Sequence, residues 1–134
     1  GNPVACAAAH ATRDLLEESL VDNSARVGEA LQGMLRDAVG DHPNVGDIRG
    51  KGLMVGVELV HNRITKERAC DLRNDLVMDC FHRSGVVLLG AGQNTVRFCP
   101  ALTLTLDEAK VAVDLFAKSL HSLAPYALAP LAQA

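Results

Sequence analysis

The sequence predicts an α+β fold in which a small, mostly antiparallel sheet carries helices on one face. Segments with apolar residues every three or four positions alternate with short runs rich in valine and leucine. Glycines lie between two of these runs, as they do in a hairpin. The resulting order is helix, helix, strand, strand, helix, strand, strand, helix, and the 134 residues are enough for one such domain.

The first forty residues are predicted to be helical. Asn2 is a suitable N-cap, and Pro3 suits the first helical position because that position needs no N–H. An alanine-rich run follows, and we expect the helix to break or kink near residues 19–23. A second helix then carries an apolar stripe of Leu20, Val27 or Gly28, Leu31, Leu35 and Val39. Because the chain starts at a helix N-cap, we expect an element before it. We assign residues 1–42 to a helical interdomain segment and 43–134 to a small α+β domain.

Residues 45–49 and 53–59 are predicted strands of one hairpin. Gly50-Lys51-Gly52 lies between them and favours a tight turn. The sequence has neither G-x-x-x-x-G-K-[ST] nor a G-x-G-x-x-G that opens a helix, so a phosphate loop is the weaker interpretation. The polar stretch 61–66 is expected to be a solvated loop.

The next elements are a helix and two more strands. The predicted helix spans residues 67–83 and ends at Ser84-Gly85. Its expected buried side comprises Ala69, Leu72, Leu76, Val77 and Cys80. Strands are predicted at 86–89 and 95–99, joined by the loop G-A-G-Q-N.

A capping box predicts where the last helix begins. Thr105 is the expected N-cap and Glu108 stands three residues later. The helix then has an apolar stripe of Ala109, Val113, Phe116 and Leu120. The tail 125–134 is apolar but interrupted by proline, and we expect it to be irregular.

Composition argues against several classes of function. A net charge of −3, with three Phe, one Tyr and no Trp, lacks the basic and aromatic surface of nucleic-acid-binding proteins. No apolar run approaches the roughly 20 residues of a membrane span. The sequence is therefore predicted to be cytoplasmic, with neither nucleic acid nor membrane as a partner. The four cysteines are scattered without a C-x-x-C, so no metal site is predicted.

Arg97 is the candidate binding residue, because it places a permanent charge inside an apolar strand. Val96 and Phe98 share one face of that strand, and Thr95, Arg97 and Cys99 share the other. One interpretation is an edge arginine whose stem covers apolar surface. The other is a fixed fork that binds a carboxylate with two hydrogen bonds. The pattern alone favours the first interpretation.

Three motifs in order resemble a known family. They are G-N-P-V-A-C-A-A-A at 1–9, R-G-K-G-L-M-V-G-V-E-L at 49–59 and N-T-V-R-F-C-P-A-L-T-L-T at 94–105. Together they are similar to the C-terminal part of class III pyridoxal-phosphate aminotransferases, most of all the 4-aminobutyrate type, over about residues 1–122. Ala101 departs from the family pattern, which usually has a second proline there.

The resemblance implies a fold, an activity and a role for Arg97. The fold would be the small C-terminal domain of a fold-type I pyridoxal-phosphate enzyme, preceded by interdomain helices. The complete enzyme, expected to be a homodimer, would transfer an amino group from an amino acid to a 2-oxoacid. Arg97 would be the substrate-binding residue that holds the substrate carboxylate.

The resemblance also implies what this chain lacks. The family's Schiff-base lysine and its other cofactor-binding residues lie upstream, so no catalytic or cofactor-binding residue is assigned here. None of the chain's lysines matches the family's lysine motif; they are Lys51, Lys66, Lys110 and Lys118. The isolated chain is therefore expected to be inactive. A racemase or aminomutase on the same scaffold stays open, as does a non-enzymatic α+β interaction module whose small-residue helix docks on a partner.

Overall fold

The computed structural model describes residues 1–123 and contains the predicted order of elements. The helices are α1 (Pro3–Leu15), α2 (Val21–Val39), α3 (Cys70–Asp79) and α4 (Leu106–Ser122); the strands are β1 (Val45–Lys51), β2 (Met54–Leu59), β3 (Leu89–Ala91) and β4 (Thr95–Phe98). No helix within residues 1–123 is long and apolar enough to cross a membrane. The tail 125–134, predicted to be irregular, lies outside the described residues.

The four strands form one antiparallel sheet in the order β1-β2-β4-β3. Val55 and Val57 of β2 and Val96 and Phe98 of β4 are buried on the face that packs against the helices. The apolar stripes of α2, α3 and α4 complete this core, in which the rings of Phe98 and Phe116 meet edge to face at 5.2 Å. The predicted α+β class, with helices on one face of an antiparallel sheet, is confirmed.

The N-terminal helices form one continuous helical stretch, so of the predicted break or kink near residues 19–23 the break does not occur, and the irregularity is a π-helical turn that ends at Leu20. A π-helical turn at Leu16–Leu20 joins α1 to α2, and the backbone stays in the right-handed helical region at Val21. Asn23 does not end the helix, because its side-chain amide donates to the carbonyls of Leu102 and Leu104 instead. A tertiary contact thus satisfies the side chain that looked like a helix-breaking signal.

The two parts of this helical stretch differ in burial. No residue of α1 is buried, whereas the α2 stripe, from Val27 to Val39, lies in the core. The predicted N-cap is present, because the Asn2 side chain accepts a hydrogen bond from the N–H of Val4 at 2.9 Å. The division into an interdomain segment 1–42 and a domain 43–134 stays a prediction.

The β1–β2 hairpin packs closely against α2 because Gly52 of the turn contacts Gly28 of the helix. Gly52 has φ of +55°, a left-handed conformation that favours glycine, and the expected tight turn is confirmed. A Cβ on Gly28 would collide with the backbone of Gly52. The Ser24 hydroxyl also accepts a hydrogen bond from the N–H of Leu53 at 3.3 Å. The hairpin, and with it the register of β1 and β2, is therefore fixed against the helix.

Two boundaries in the second half differ from the prediction. Helix α3 begins at Cys70 and not at residue 67, because Arg68 forms a β-bridge with Val60. Residues 86–88 do not pair, and β3 starts only at Leu89. The π-helical turn Cys80–Ser84 follows α3, and Gly85 ends it at a φ of +70°. The capping box of Thr105 and Glu108 is confirmed, and it opens α4.

Candidate functional site

Arg97 lies on the face of the sheet that the helices leave open. Its neighbours Val96 and Phe98 are buried in the core, while Arg97 itself is half-buried on the opposite face. The predicted alternation along β4 is therefore confirmed. Since β4 is the third strand of four, Arg97 is not an edge-strand residue: it pairs with Gly56 of β2 on one side and with Leu89 of β3 on the other.

The open face contains a trough between Arg49 and Arg97. Gly56 pairs with Arg49 on β1 and with Arg97 on β4, so both arginines flank a residue without a side chain. Lys51, Met54 and other open-face residues complete a trough of about 470 Å³. A Cβ on Gly56 would lie only 3.1 Å from the Thr95 methyl group, so even alanine would narrow this space.

The Arg97 guanidinium has no hydrogen-bond or ion-pair partner among the residues that the structure describes. Its Nε atom is buried and makes no hydrogen bond, and within residues 1–123 no carboxylate forms an ion pair with it. Leaving a buried donor unpaired costs about 1–3 kcal/mol, and more for a charged group. Buried polar groups are usually hydrogen-bonded, so a partner from outside the described residues would be needed to satisfy this donor. A carboxylate would match the guanidinium in both charge and geometry.

The second arginine of the trough is paired with two carboxylates. Arg49 Nη1 lies 2.9 Å from Asp47 Oδ2 and 3.1 Å from Glu58 Oε2. The hydrogen bond that Arg49 donates to Asp47, and then the one to Glu58, raise the pKa of Arg49 above its ordinary value. Asn94 adds a contact of 3.4 Å from its amide Nδ2 to Glu58 Oε1. Arg49 is therefore neutralised in place, whereas Arg97 keeps an uncompensated charge.

An apolar cavity of about 300 Å³ adjoins Arg97 beside the strand. Its lining includes Val87, Leu88 and Leu89 from the segment before β4, and Leu104 and Ala109 from the start of α4. Val87 and Leu89 are exposed in the chain, at 72% and 52%. The helix-facing Leu31 and Phe98 also line this cavity, so it extends to the core side of β4. On the open face, the exposed Leu89 pairs with Arg97 and places apolar surface beside it. Apolar surface next to a cation suits a ligand that has both a carboxylate and a hydrocarbon part.

Arg97 was predicted from the sequence, whereas Arg49, Gly56, Glu58 and Asn94 were not. The signal was present, because Arg49, Gly56 and Glu58 all lie in R-G-K-G-L-M-V-G-V-E-L, and Asn94 opens N-T-V-R-F. These motifs form the neighbouring strands β2 and β4 and their flanks. Alternation of side chains would have placed the polar members of both motifs on one face.

The described residues do not fit the binding of pyridoxal phosphate. Lys66 donates a hydrogen bond to the carbonyl of Gly46 at 2.8 Å and does not line the trough. Lys51 does line the trough. Lys51 is exposed, and no aromatic side chain lines the trough to cover a cofactor ring. Within residues 1–123, no group of three or more potential ligands is placed to hold a metal ion. No residue of this chain is therefore assigned to a cofactor.

Comparison with known proteins gives relatives over most of the chain. The profile of the aminotransferase class-III family matches residues 1–120. The 5-aminovalerate aminotransferase DavT of Pseudomonas aeruginosa is 34% identical over 127 residues, which are 92% of this chain and 30% of that protein. The leucine/methionine racemase of Thermococcus litoralis is 39% identical over 112 residues, 81% of this chain and 25% of that protein.

A solved structure agrees with these relatives. A Bacillus anthracis aminotransferase superposes with a TM-score of 0.85 at 32% identity, covering 90% of this chain and 28% of that one. The chain thus spans between a quarter and a third of the length of the proteins it matches. Both the sequence and the fold place it in one family. The chain belongs to the class III aminotransferases.

Proposed function

We propose that this chain is the substrate-recognition part of a pyridoxal-phosphate-dependent class III aminotransferase, and that Arg97 binds the substrate carboxylate. The observation that carries the proposal is the buried, unpaired Nε of Arg97 on a surface that contains open space. A guanidinium in this state is ready for a carboxylate ligand, because binding supplies the missing hydrogen-bond acceptor and the missing counter-charge.

Both substrates of an amino-group transfer from an amino acid to a 2-oxoacid carry a carboxylate. Gripping that group orients the rest of the molecule, and orientation is a major part of catalysis. β4 is hydrogen-bonded on both sides, so the Arg97 backbone is held rigidly. The exposed Leu89, which pairs with Arg97 on the open face, would contact the hydrocarbon chain between the carboxylate and the amino group. An ω-amino acid donor of the 4-aminobutyrate type fits a site that combines a cation with apolar surface, because it has a carboxylate at one end of a hydrocarbon chain. The relative DavT is named for 5-aminovalerate.

The remaining parts of the activity are proposed to come from a longer protein. Pyridoxal phosphate, which supplies the amino-group chemistry in this family, would be held by residues outside these 134. The isolated chain is proposed to be inactive for that reason. The complete enzyme is proposed to be a cytoplasmic homodimer, as the family resemblance implies.

A racemase is the second candidate, and a specific observation favours it. The relative with the highest identity among those described above is named a leucine/methionine racemase. A substrate carboxylate must be held in that reaction too, so Arg97 would have the same role. An interaction module without catalytic function has less support, since the family profile matches nearly the whole described chain.

The experiment uses the full-length protein that contains this chain, with pyridoxal phosphate added. It is incubated with 4-aminobutyrate and 2-oxoglutarate, and separately with single enantiomers of leucine and alanine. Formation of glutamate from the first mixture supports the aminotransferase. Formation of the opposite enantiomer without a 2-oxoacid supports the racemase, and absence of both products would contradict the proposed enzymatic function.

A further inference from the structure

The register of the sheet places one carboxylate within reach of two arginines. Gly56 pairs with Arg49 on one side and with Arg97 on the other. Glu58 lies two residues further along β2, and therefore on the same open face. It is a diagonal neighbour of both arginines, and diagonal partners are about 7–8 Å apart, within reach of long side chains. By strand geometry alone, Glu58 could pair with either arginine.

The structure shows which arginine it pairs with. Glu58 Oε2 is 3.1 Å from Arg49 Nη1, and within residues 1–123 Arg97 has no ion-pair partner. Arg49 also binds Asp47 at 2.9 Å, so one guanidinium joins two carboxylates that would otherwise repel each other. Glu58 is thereby kept on the β1 side of the trough.

Asn94 holds the other oxygen of Glu58 in the same orientation. Its amide Nδ2 lies 2.7 Å from the carbonyl of Leu59 and 3.4 Å from Glu58 Oε1. Asn94 is only 6% exposed, so its position is fixed by the surrounding structure. Arg49 and Asn94 together account for both oxygens of Glu58.

We propose that Arg49 is a positioning residue: by holding Glu58, it keeps that carboxylate away from Arg97 and leaves Arg97 free for the substrate carboxylate. This inference rests on the proposed role of Arg97 and extends it to three further residues. Without Arg49, Glu58 loses its ion-pair partner, while Arg97, its diagonal neighbour on β4, has no ion pair within residues 1–123. Glu58 then competes with the substrate for Arg97 as an intramolecular ligand.

The test compares Arg49→Gln, Glu58→Gln, the double variant and Arg49→Lys in the full-length enzyme. The reaction of an amino acid donor that the wild type converts is followed at varied donor concentration. We expect Arg49→Gln to raise KM by roughly three- to tenfold, the range for competition by a partly exposed ion pair. We expect kcat to change less than twofold, because the competition affects binding of the substrate carboxylate. Arg49→Lys, which keeps the positive charge, is expected to stay within about twofold of the wild-type KM.

The double variant separates positioning from structural support. The neutral amide that Glu58→Gln introduces cannot neutralise Arg97, so the double variant should return to within about twofold of the wild-type KM. A purely structural role of Arg49 would leave the double variant at least as impaired as Arg49→Gln. Urea unfolding of each variant checks that the single change has not unfolded the protein; since the Arg49 side chain is 57% exposed, we expect little change.

The outcomes distinguish this inference from the proposed function. A wild-type KM in Arg49→Gln, or a double variant that is not restored, would overturn the role of Arg49. An Arg97→Lys variant with unchanged kinetics, or a wild type that converts no amino acid, would overturn the proposed function and this inference with it.

Discussion

Replacing Arg97 with lysine tests the proposed role of the trough most directly. Lysine keeps the positive charge but has a single ammonium group, so it cannot form the two parallel hydrogen bonds of a guanidinium with a carboxylate. The change also removes the Nε atom that is buried without a partner. Since the Arg97 side chain makes no hydrogen bond or ion pair within residues 1–123, the substitution breaks no polar side-chain contact of the described fold.

The loss of the two-pronged contact sets the expected change in kcat/KM, and the removal of the unpaired Nε sets the expected change in stability. A charge-assisted hydrogen-bonded contact contributes about 1.5–3 kcal/mol. At about 1.36 kcal/mol per factor of ten, its loss lowers kcat/KM about 10- to 100-fold for donors with a carboxylate. The free energy of unfolding should not fall, and it should rise by up to about 1–3 kcal/mol, because the substitution removes the unpaired buried Nε.

The assay compares 4-aminobutyrate with butylamine, which has the same carbon chain without the carboxylate, in the full-length enzyme. The loss should appear with 4-aminobutyrate and be absent with butylamine. Arg83→Lys is the matched control, because Arg83 does not line the trough and its side chain is 68% exposed. Equal losses for both donors, or a drop of several degrees in melting temperature, would refute the reasoning and make Arg97 a structural residue.

Three further predictions concern stability and the cofactor. Burial, and secondarily the charge of His121, lower the pKa of His42, so the folded state resists protonation of His42. Neutral His42 should therefore contribute fully to the free energy of unfolding above about pH 6.5, and this contribution should be lost as the pH falls through the lower pKa of the folded state. In urea titrations, the free energy of unfolding of His42→Gln should depend less on pH than that of the wild type. Gly28→Ala should destabilise the fold by about 1–3 kcal/mol through collision with Gly52, whereas Gly33→Ala, which meets nothing within 4 Å, should stabilise it by about 0.5–1 kcal/mol. Borohydride reduction of the isolated chain with pyridoxal phosphate should label no single lysine stoichiometrically, and specific labelling with turnover would contradict the assignment of the cofactor site to another part of the protein.

The sequence was sufficient for the elements that local chemistry determines. The cap at Asn2 and the capping box of Thr105 and Glu108 depend on neighbouring residues, and both are present as predicted. The apolar stripe of α4 is also confirmed, because its period of 3.6 residues is a property of the helix itself.

The errors occur where a distant contact decides the local structure. The helix continues through the predicted break near residues 19–23, where the Asn23 side chain donates to the carbonyls of Leu102 and Leu104, about 80 residues away along the chain. The start of α3 moved because Arg68 pairs with Val60 across a turn. Such pairings depend on the assembled fold, and no window of neighbouring residues contains them.

The candidate site was partly predictable for the same reason. Alternation along β4 placed Arg97 opposite the core, and this needed only four residues of sequence. That the Arg97 side chain has no partner within the described part of the chain could not be predicted, because ion pairs such as those of Arg49 with Asp47 and Glu58 form across strands of the assembled sheet. The favoured pattern-based interpretation, an edge-strand arginine, is wrong in its position, since β4 lies inside the sheet.

The pairing of β2 with β4 links the fold to the proposed chemistry. Side chains alternate with a period of two, so a slip of one residue in β4 would send Arg97 into the core and Val96 onto the open face. The helix-facing Val57 and Val96 are direct partners in the same ladder in which Gly56 pairs with Arg97. Burial of the two valines therefore fixes Arg97 opposite the one open-face position of β2 that has no side chain. The core thus stabilises the register that forms the trough. Which ligand binds in the trough then depends on the charged residues of the open face.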